Sequence, residues 1–244
     1  MECTHSKNHN GFTLVEIAIV MIIIGLLIGG TFGGMKLVEN MQVNKTVQDL
    51  KAIESAALTF KDTYGRLPGD MPNTAARLPS CTDAPCATGG NGDRQISPTQ
   101  AVTSWAAAID VTWERYTIWH HLQAANMLAM DYKNTLDPTF GEGQPTAPIG
   151  GGYRMTNYTG NGTYCAIQNR GAILTVVADS AAALGTTSEL SCAAIAAIDR
   201  KMDDGDPYRG KQIIGGTTAC GGGVCGNPYA TTGTSPMLWY DVAF

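Results

Sequence analysis

One carboxylate, Glu16, stands inside the run of 24 residues from Phe12 to Met35, which holds no other charge. An ionisable group in an apolar helix of membrane length costs several kcal/mol unless it is partnered, so its presence is itself a functional expectation. The basic side chains nearest in sequence are Lys7 and Lys36, and neither lies within a helical turn of it. Cutting the chain between Gly11 and Phe12 supplies a cation. The new α-amino group would lie close in depth to Glu16, above all to the Glu16 of an axially shifted neighbouring copy.

Three other groups carry reactive or ligating side chains. Cysteines stand at positions 3, 81, 86, 165, 192, 220 and 225. Losing Cys3 with a cleaved N-terminus leaves six, an even number that favours disulfides in an oxidising compartment. Cys81 with Cys86 and Cys220 with Cys225 form short local loops, which leaves Cys165 to pair with Cys192. That pairing is the most economical in loop length of the 15 that six cysteines allow. The CxxC spacing of zinc ribbons is absent at both short pairs, which argues against zinc. Asp199, Asp203, Asp204 and Asp206 crowd hard oxygen ligands into one turn, the chemistry calcium takes. The spacing is not that of an EF-hand, and a solvated turn closing a helix accounts for the same residues. His120 and His121 are adjacent, so on a helix they point about 100° apart and cannot serve one catalytic centre. A packed Trp-His-His-Leu surface is expected instead.

The elements that position these residues begin with the apolar run. At 1.5 Å per residue it exceeds the bilayer core of about 30 Å, and it is too long for a cleaved secretory signal, with no Ala-x-Ala site after it. The run therefore predicts a membrane-spanning helix over 12–35. The helix is expected to continue to Tyr64. Val43, Val47, Leu50, Ala57, Phe60 and Tyr64 form one apolar stripe, while Lys45, Asp49, Lys51, Glu54, Lys61 and Asp62 take other faces. Gly65, with Pro68 three residues on, stops it.

Gly11-Phe12-Thr13-Leu14-Val15-Glu16, followed by an unbroken apolar helix, resembles the N-terminus of type IV prepilins and of the pseudopilins of type II secretion. The resemblance implies a leader, residues 1–11, cut after Gly11 by an inner-membrane prepilin peptidase that N-methylates Phe12. It implies that Glu16 aligns an incoming subunit by neutralising its amine. The Tyr-Gly-Arg-Leu-Pro-Gly-Asp turn at 64–70 resembles that of larger, secretion-related members. One departure is a leader that carries Glu2 beside Lys7, with His5 and His9 as partial compensation. Some pseudopilins bind calcium in a head-domain loop, which adds to the reading of the 199–206 turn; otherwise no cofactor is expected. Gly25, Gly29 and Gly33, with Gly30 and Gly34 beside them, form the small-xxx-small pattern of closely packed membrane helices. The resemblance implies that this stretch loses helical order in a filament, whereas an isolated chain should keep it.

The rest of the chain, 65–244, predicts an α+β head of pilin type, a sheet packed on the long helix. A second helix is expected from about Thr99 to Met130, with Trp105, Ile109, Trp113, Tyr116, Trp119 and Leu122 on one broad face. Tyr153–Tyr158 and Thr163–Gln168 read as a hairpin about Gly160-Asn161-Gly162. Ala172–Ala178, Lys211–Ile214 and Met237–Phe244 read as further strands. Thr186 to Glu189 reads as a capping box opening a helix from Leu190 to about Met202.

Composition narrows the function classes. A net charge of −5 with 15% charged residues, against roughly 25% in ordinary soluble domains, excludes a chain-wide basic surface for nucleic acid. No nucleophile elbow, phosphate-binding glycine loop or His-Glu-x-x-His motif is present. The readings left are a structural subunit of a pilus or pseudopilus, a minor pilin at a filament tip acting as a binding module, and a signal-anchored periplasmic hydrolase. The partners implied by the first are further pilin subunits, the peptidase and the inner-membrane assembly machinery. Its path runs from inner-membrane precursor to periplasmic or extracellular filament.

Overall fold

The computed structural model describes residues 12–96, 114–130, 132–157, 172–177, 190–205, 212–215, 234–235 and 237–242. Its first element, α1, runs without a break from Leu14 to Tyr64. The chain divides into two compact units, one ending at Met41 and one beginning at Gln42. In the first, every described residue is exposed, including Leu14, Met21, Leu26, Leu27 and Phe32. This half of α1 is long and apolar enough to cross a membrane.

The second unit is an α+β domain whose central element is the other half of α1. Val43, Leu50, Ile53, Ala56, Ala57 and Phe60 are buried, a stripe at steps of three, four and seven. Val47 and Tyr64 lie at its margin, partly buried. Two carboxylates expected on faces away from the apolar stripe are tied into the domain. Asp49 is buried, bonded by Lys45 Nζ at 2.7 Å and by the Tyr153 hydroxyl at 3.2 Å. Glu54 accepts the Tyr240 hydroxyl at 2.6 Å. The helix stops at Tyr64, where Gly65 takes φ +67° and donates its N–H to Lys61 O at 2.8 Å, a left-handed C-terminal cap.

Four antiparallel strands form the main sheet: β1 (Gly152–Asn157), β2 (Ala172–Val177), β4 (Gln212–Gly215) and β6 (Met237–Asp241), in the order β1-β2-β6-β4. Among the described residues β1 therefore pairs with β2, Tyr153 opposite Val176 and Met155 opposite Leu174. The expected partner segment Thr163–Gln168 lies outside the described residues. A two-stranded ladder joins β3 (Leu190–Ser191) to β5 (Thr234–Ser235). The short helix α2 (Thr74–Arg77) follows the turn after α1, and α3 spans Glu114–Ala124.

Helix α3 ends earlier than the sequence reading, at Ala124 rather than Met130, because Asn126 adopts φ +55° and the chain turns back. Met127 N–H bonds Leu122 O and Asn126 N–H bonds Gln123 O, the paired bonds of a Schellman motif. Residues 114 to 122 are buried on every side rather than on one face; Trp105, Ile109 and Trp113 lie outside the described residues. Helix α4 (Cys192–Met202) begins two residues later than predicted, after Ser191, because Leu190 and Ser191 are held in the β3 ladder.

The two halves of α1 should respond differently to truncation. Leu50→Ala, at a fully buried site, is expected to lower stability by about 3 kcal/mol. Leu27→Ala, at a site 65% exposed, should change it by less than about 0.5 kcal/mol. Denaturant unfolding of the detergent-solubilised chain, read by tryptophan fluorescence, measures both.

Candidate functional site

The N-terminus of α1 is capped by two residues, Thr13 and Glu16. Thr13 N–H and its hydroxyl both donate to Glu16 Oε2 at 2.9 Å, and Glu16 N–H returns a bond to the Thr13 hydroxyl at 3.2 Å. This is a capping box, which satisfies two orphan donors at the first turn of the helix. Glu16 thus has neutral partners in addition to the cation expected from its position. Thr13 was missed in the sequence, although Thr-x-x-Glu before an apolar run is the signal for such a box. Both bonds fall on Oε2, and among the described residues no hydrogen bond falls on Oε1. Phe12 precedes the box, 83% exposed. Gly11 lies outside the described residues.

The helix is continuous through Gly25, Gly29, Gly30, Gly33 and Gly34. A Cβ placed on any of the five would meet nothing within 4 Å. Among the described residues, no packing requires a glycine at these positions.

In the domain beginning at Gln42, Cys81 and Cys86 form a disulfide, and Cys192 is also disulfide-bonded. Cys165, Cys220 and Cys225 lie outside the described residues. Asp199, Asp203 and Asp204 bring carboxylate oxygens within 4.8 Å of one another at the end of α4; Asp206 lies outside the described residues.

His120 and His121 are packed in the interior with Trp119 and Leu122, at 1% and 0% exposure. Gly69 N–H donates to His121 Nδ1 at 2.8 Å, so that nitrogen is unprotonated and Nε2–H donates to Cys86 O at 3.1 Å. His121 therefore clamps the Leu67–Asp70 turn to the Cys81–Cys86 loop. His120 donates Nδ1–H to Tyr116 O at 3.3 Å. Burial pushes both imidazoles down to about 4. A cleft of about 480 Å³ is lined by Lys61, Arg66, Leu67, Arg94 and Asn157. It presents cations and an amide, with no nucleophile paired to a base.

Residues 6–32 match the family model of the prokaryotic N-terminal methylation motif, the prepilin-type motif of type IV pilins and pseudopilins. No curated protein and no solved structure matches the chain. The matched segment covers the Gly11-Phe12 junction, the capping box and most of the apolar helix. The chain thus carries the processing signal of a type IV pilin-like subunit with a membrane-anchored precursor, and the motif points to a structural role rather than to catalysis.

The buried imidazoles predict acid sensitivity. Their folded values lie below the ordinary 6.5, so the unfolded chain binds protons that the native domain refuses. Stability is then complete above about pH 6.5 and falls as the pH drops toward 4, by roughly 3 kcal/mol per imidazole at most. His121→Phe should flatten that slope. It should also melt lower at pH 7, because Gly69 N–H and Cys86 C=O lose their partner, a loss of about 2–4 kcal/mol. Thermal melts from pH 7 to 4.5 test this, and an unchanged slope in the variant would refute it.

Proposed function

We propose that this protein is a structural subunit of a type IV pilus or of a secretion pseudopilus. The reading is that the chain is cut between Gly11 and Phe12, methylated on Phe12, and assembled through the exposed apolar half of α1. The observation that carries it is the coincidence of the methylation motif with a helix exposed along its whole apolar length. Such a surface is stable in a bilayer or against other apolar helices, and in neither case against water.

Glu16 supports the assembly step. The capping box keeps one carboxylate oxygen on the helix's own first turn. The other is left to accept a bond from the α-ammonium of a neighbouring Phe12. In a low-dielectric filament core that pairing neutralises both charges at once, so an incoming subunit gains most when its amine is level with a Glu16. Thr13 N–H remains an amide after cleavage, so processing leaves the box intact.

The five glycines support the same reading. Each costs about 1 kcal/mol relative to alanine in a helix, and among the described residues no contact explains them. Close approach of neighbouring helices explains them, as does local loosening of this stretch on leaving the bilayer. A bilayer offers a freed backbone group no partner, so the helix stays intact until assembly.

N-terminal sequencing of purified mature protein tests the processing: N-methylphenylalanine at Phe12 is expected, and an intact Met1 would point to a simple signal anchor. Glu16→Ala should still insert and be cleaved while sheared filaments fall severalfold by immunoblot; normal filament yield would remove Glu16 from assembly. Replacing Gly29 and Gly33 together by alanine should stiffen the isolated helix but lower filament yield. Wild-type yield from that pair would leave the glycines without an assembly role.

A further inference from the structure

The cleft beside the end of α1 gathers cations from three parts of the chain. Lys61 comes from the last turn of the helix, Arg66 from the segment that follows its Gly65 cap, and Arg94 from the glycine-rich loop 89–96. Asn157, the last residue of β1, adds an amide, and Leu67 and Ala172 add apolar wall. The volume of about 480 Å³ falls within the range of small-molecule sites, roughly 300–1,000 Å³, in which apolar lining surrounds a few convergent polar groups.

The backbone around Arg94 is fixed by the fold. Arg94 N–H donates to Asp70 Oδ2 at 3.0 Å, Gln95 N–H to Asp93 Oδ1 at 2.8 Å and Ile96 N–H to Asn157 Oδ1 at 3.2 Å. These bonds hold Arg94 at φ +69°, in the left-handed region that a residue with a Cβ enters only at a cost. Among the described residues the other non-glycine positions in that region are Asn73 and Asn126, and asparagine tolerates it. Gly92, two residues before, takes φ +78° as a glycine. An arginine where glycine would relax the turn marks a side chain with a task of its own.

No contact inside the domain explains that side chain. Among the described residues neither Arg66 nor Arg94 forms an ion pair. Asp93, the adjacent carboxylate, accepts from Gln95 N–H on one oxygen and from Asn91 Nδ2 on the other. Arg66 is anchored through Nη1, which donates to Gly92 O at 2.7 Å, and this leaves its other guanidinium donors for the cleft. Asn157 accepts at Oδ1, which leaves Nδ2 to donate. The cleft thus offers guanidinium and amide donors beside the Lys61 charge, and among the described residues no carboxylate lines it. Planar guanidinium forks match the paired oxygens of a carboxylate or a phosphate.

We propose that this cleft binds a small organic anion through a carboxylate or phosphate group, held by Arg66, Arg94 and Asn157 with Lys61 adding charge. The site lies in the domain beginning at Gln42, so its test needs no filament and stands apart from the assembly reading. The native chain in detergent is titrated by calorimetry with inorganic phosphate and with citrate, at fixed ionic strength. Arg94→Gly carries the test, because glycine suits the backbone at that position and keeps the N–H that Asp70 accepts. The variant should melt no lower than the native chain and yet bind the anion more weakly by about tenfold or more. Arg94→Gln should lose as much. Arg77→Gln, at an exposed cation outside the cleft, should keep native affinity. Preference for phosphate assigns the bound group as a phosphate and preference for citrate as a carboxylate, and each sustains the site. No binding of either anion at millimolar concentration, undiminished binding by Arg94→Gly, or an equal loss in Arg77→Gln would overturn the assignment.

Discussion

The molecule depends on one helix that serves two surroundings. From Leu14 to Met35, α1 presents apolar side chains on every face, a pattern that suits lipid or other helices of the same kind. From Gln42 to Tyr64 the same helix narrows to a single apolar stripe with carboxylates beside it. A helix apolar all round cannot choose a face, whereas a stripe with flanking polar groups can. The second half therefore serves as the central core element, and the first remains available for assembly.

The domain around that second half is fixed by buried polar contacts as much as by apolar packing. Tyr153 and Tyr240 carry their hydroxyls from two strands of the sheet to Asp49 and Glu54 on α1. Since a buried acceptor without a donor is unfavourable, these two bonds select one azimuth of the helix against the sheet, which apolar stripes alone leave loosely defined. His121 does the same for residues 65–96, the described part of the connection between α1 and α3. Its two ring nitrogens hold the Gly69 amide and the Cys86 carbonyl. A segment rich in turns thereby acquires a fixed path with little regular structure of its own.

What the sequence made legible follows the range of the interactions involved. The apolar run, the stop at Tyr64-Gly65 and the strand segments at 153–157, 172–177 and 237–241 are local signals, carried by composition and period. The α+β class follows from their order. The pairing of β1 with β2, the burial of Asp49 and the convergence of Arg66 and Arg94 on one cleft are not local. They are set by tertiary contacts between residues tens of positions apart, which periodicity does not encode. The end of α3 belongs to a third kind. An asparagine in the left-handed region stopped it, and asparagine in a helical pattern is only a weak signal of a C-terminal cap. Thr13 was legible in principle, since Thr-x-x-Glu was present; the membrane carboxylate had an evident reading as a charge, which concealed its simpler one as a cap.

That double reading of Glu16 reconciles two demands on an intramembrane carboxylate. Under the proposed assembly the side chain has to be tolerable in an apolar surround without a cation beforehand, and able to take one when subunits join. Two neutral donors from Thr13 meet the first demand by spreading the negative charge into the helix's first turn, where the aligned peptide dipoles also favour an anion. Because both donors share Oε2, meeting the first demand does not exhaust the group. An ion pair locked within the chain would satisfy the carboxylate more fully, but under the proposed assembly it would remove the reason for one subunit to find the level of the next. On the proposed reading, a neutral cap stabilises the waiting state only partially, and the remainder would drive docking.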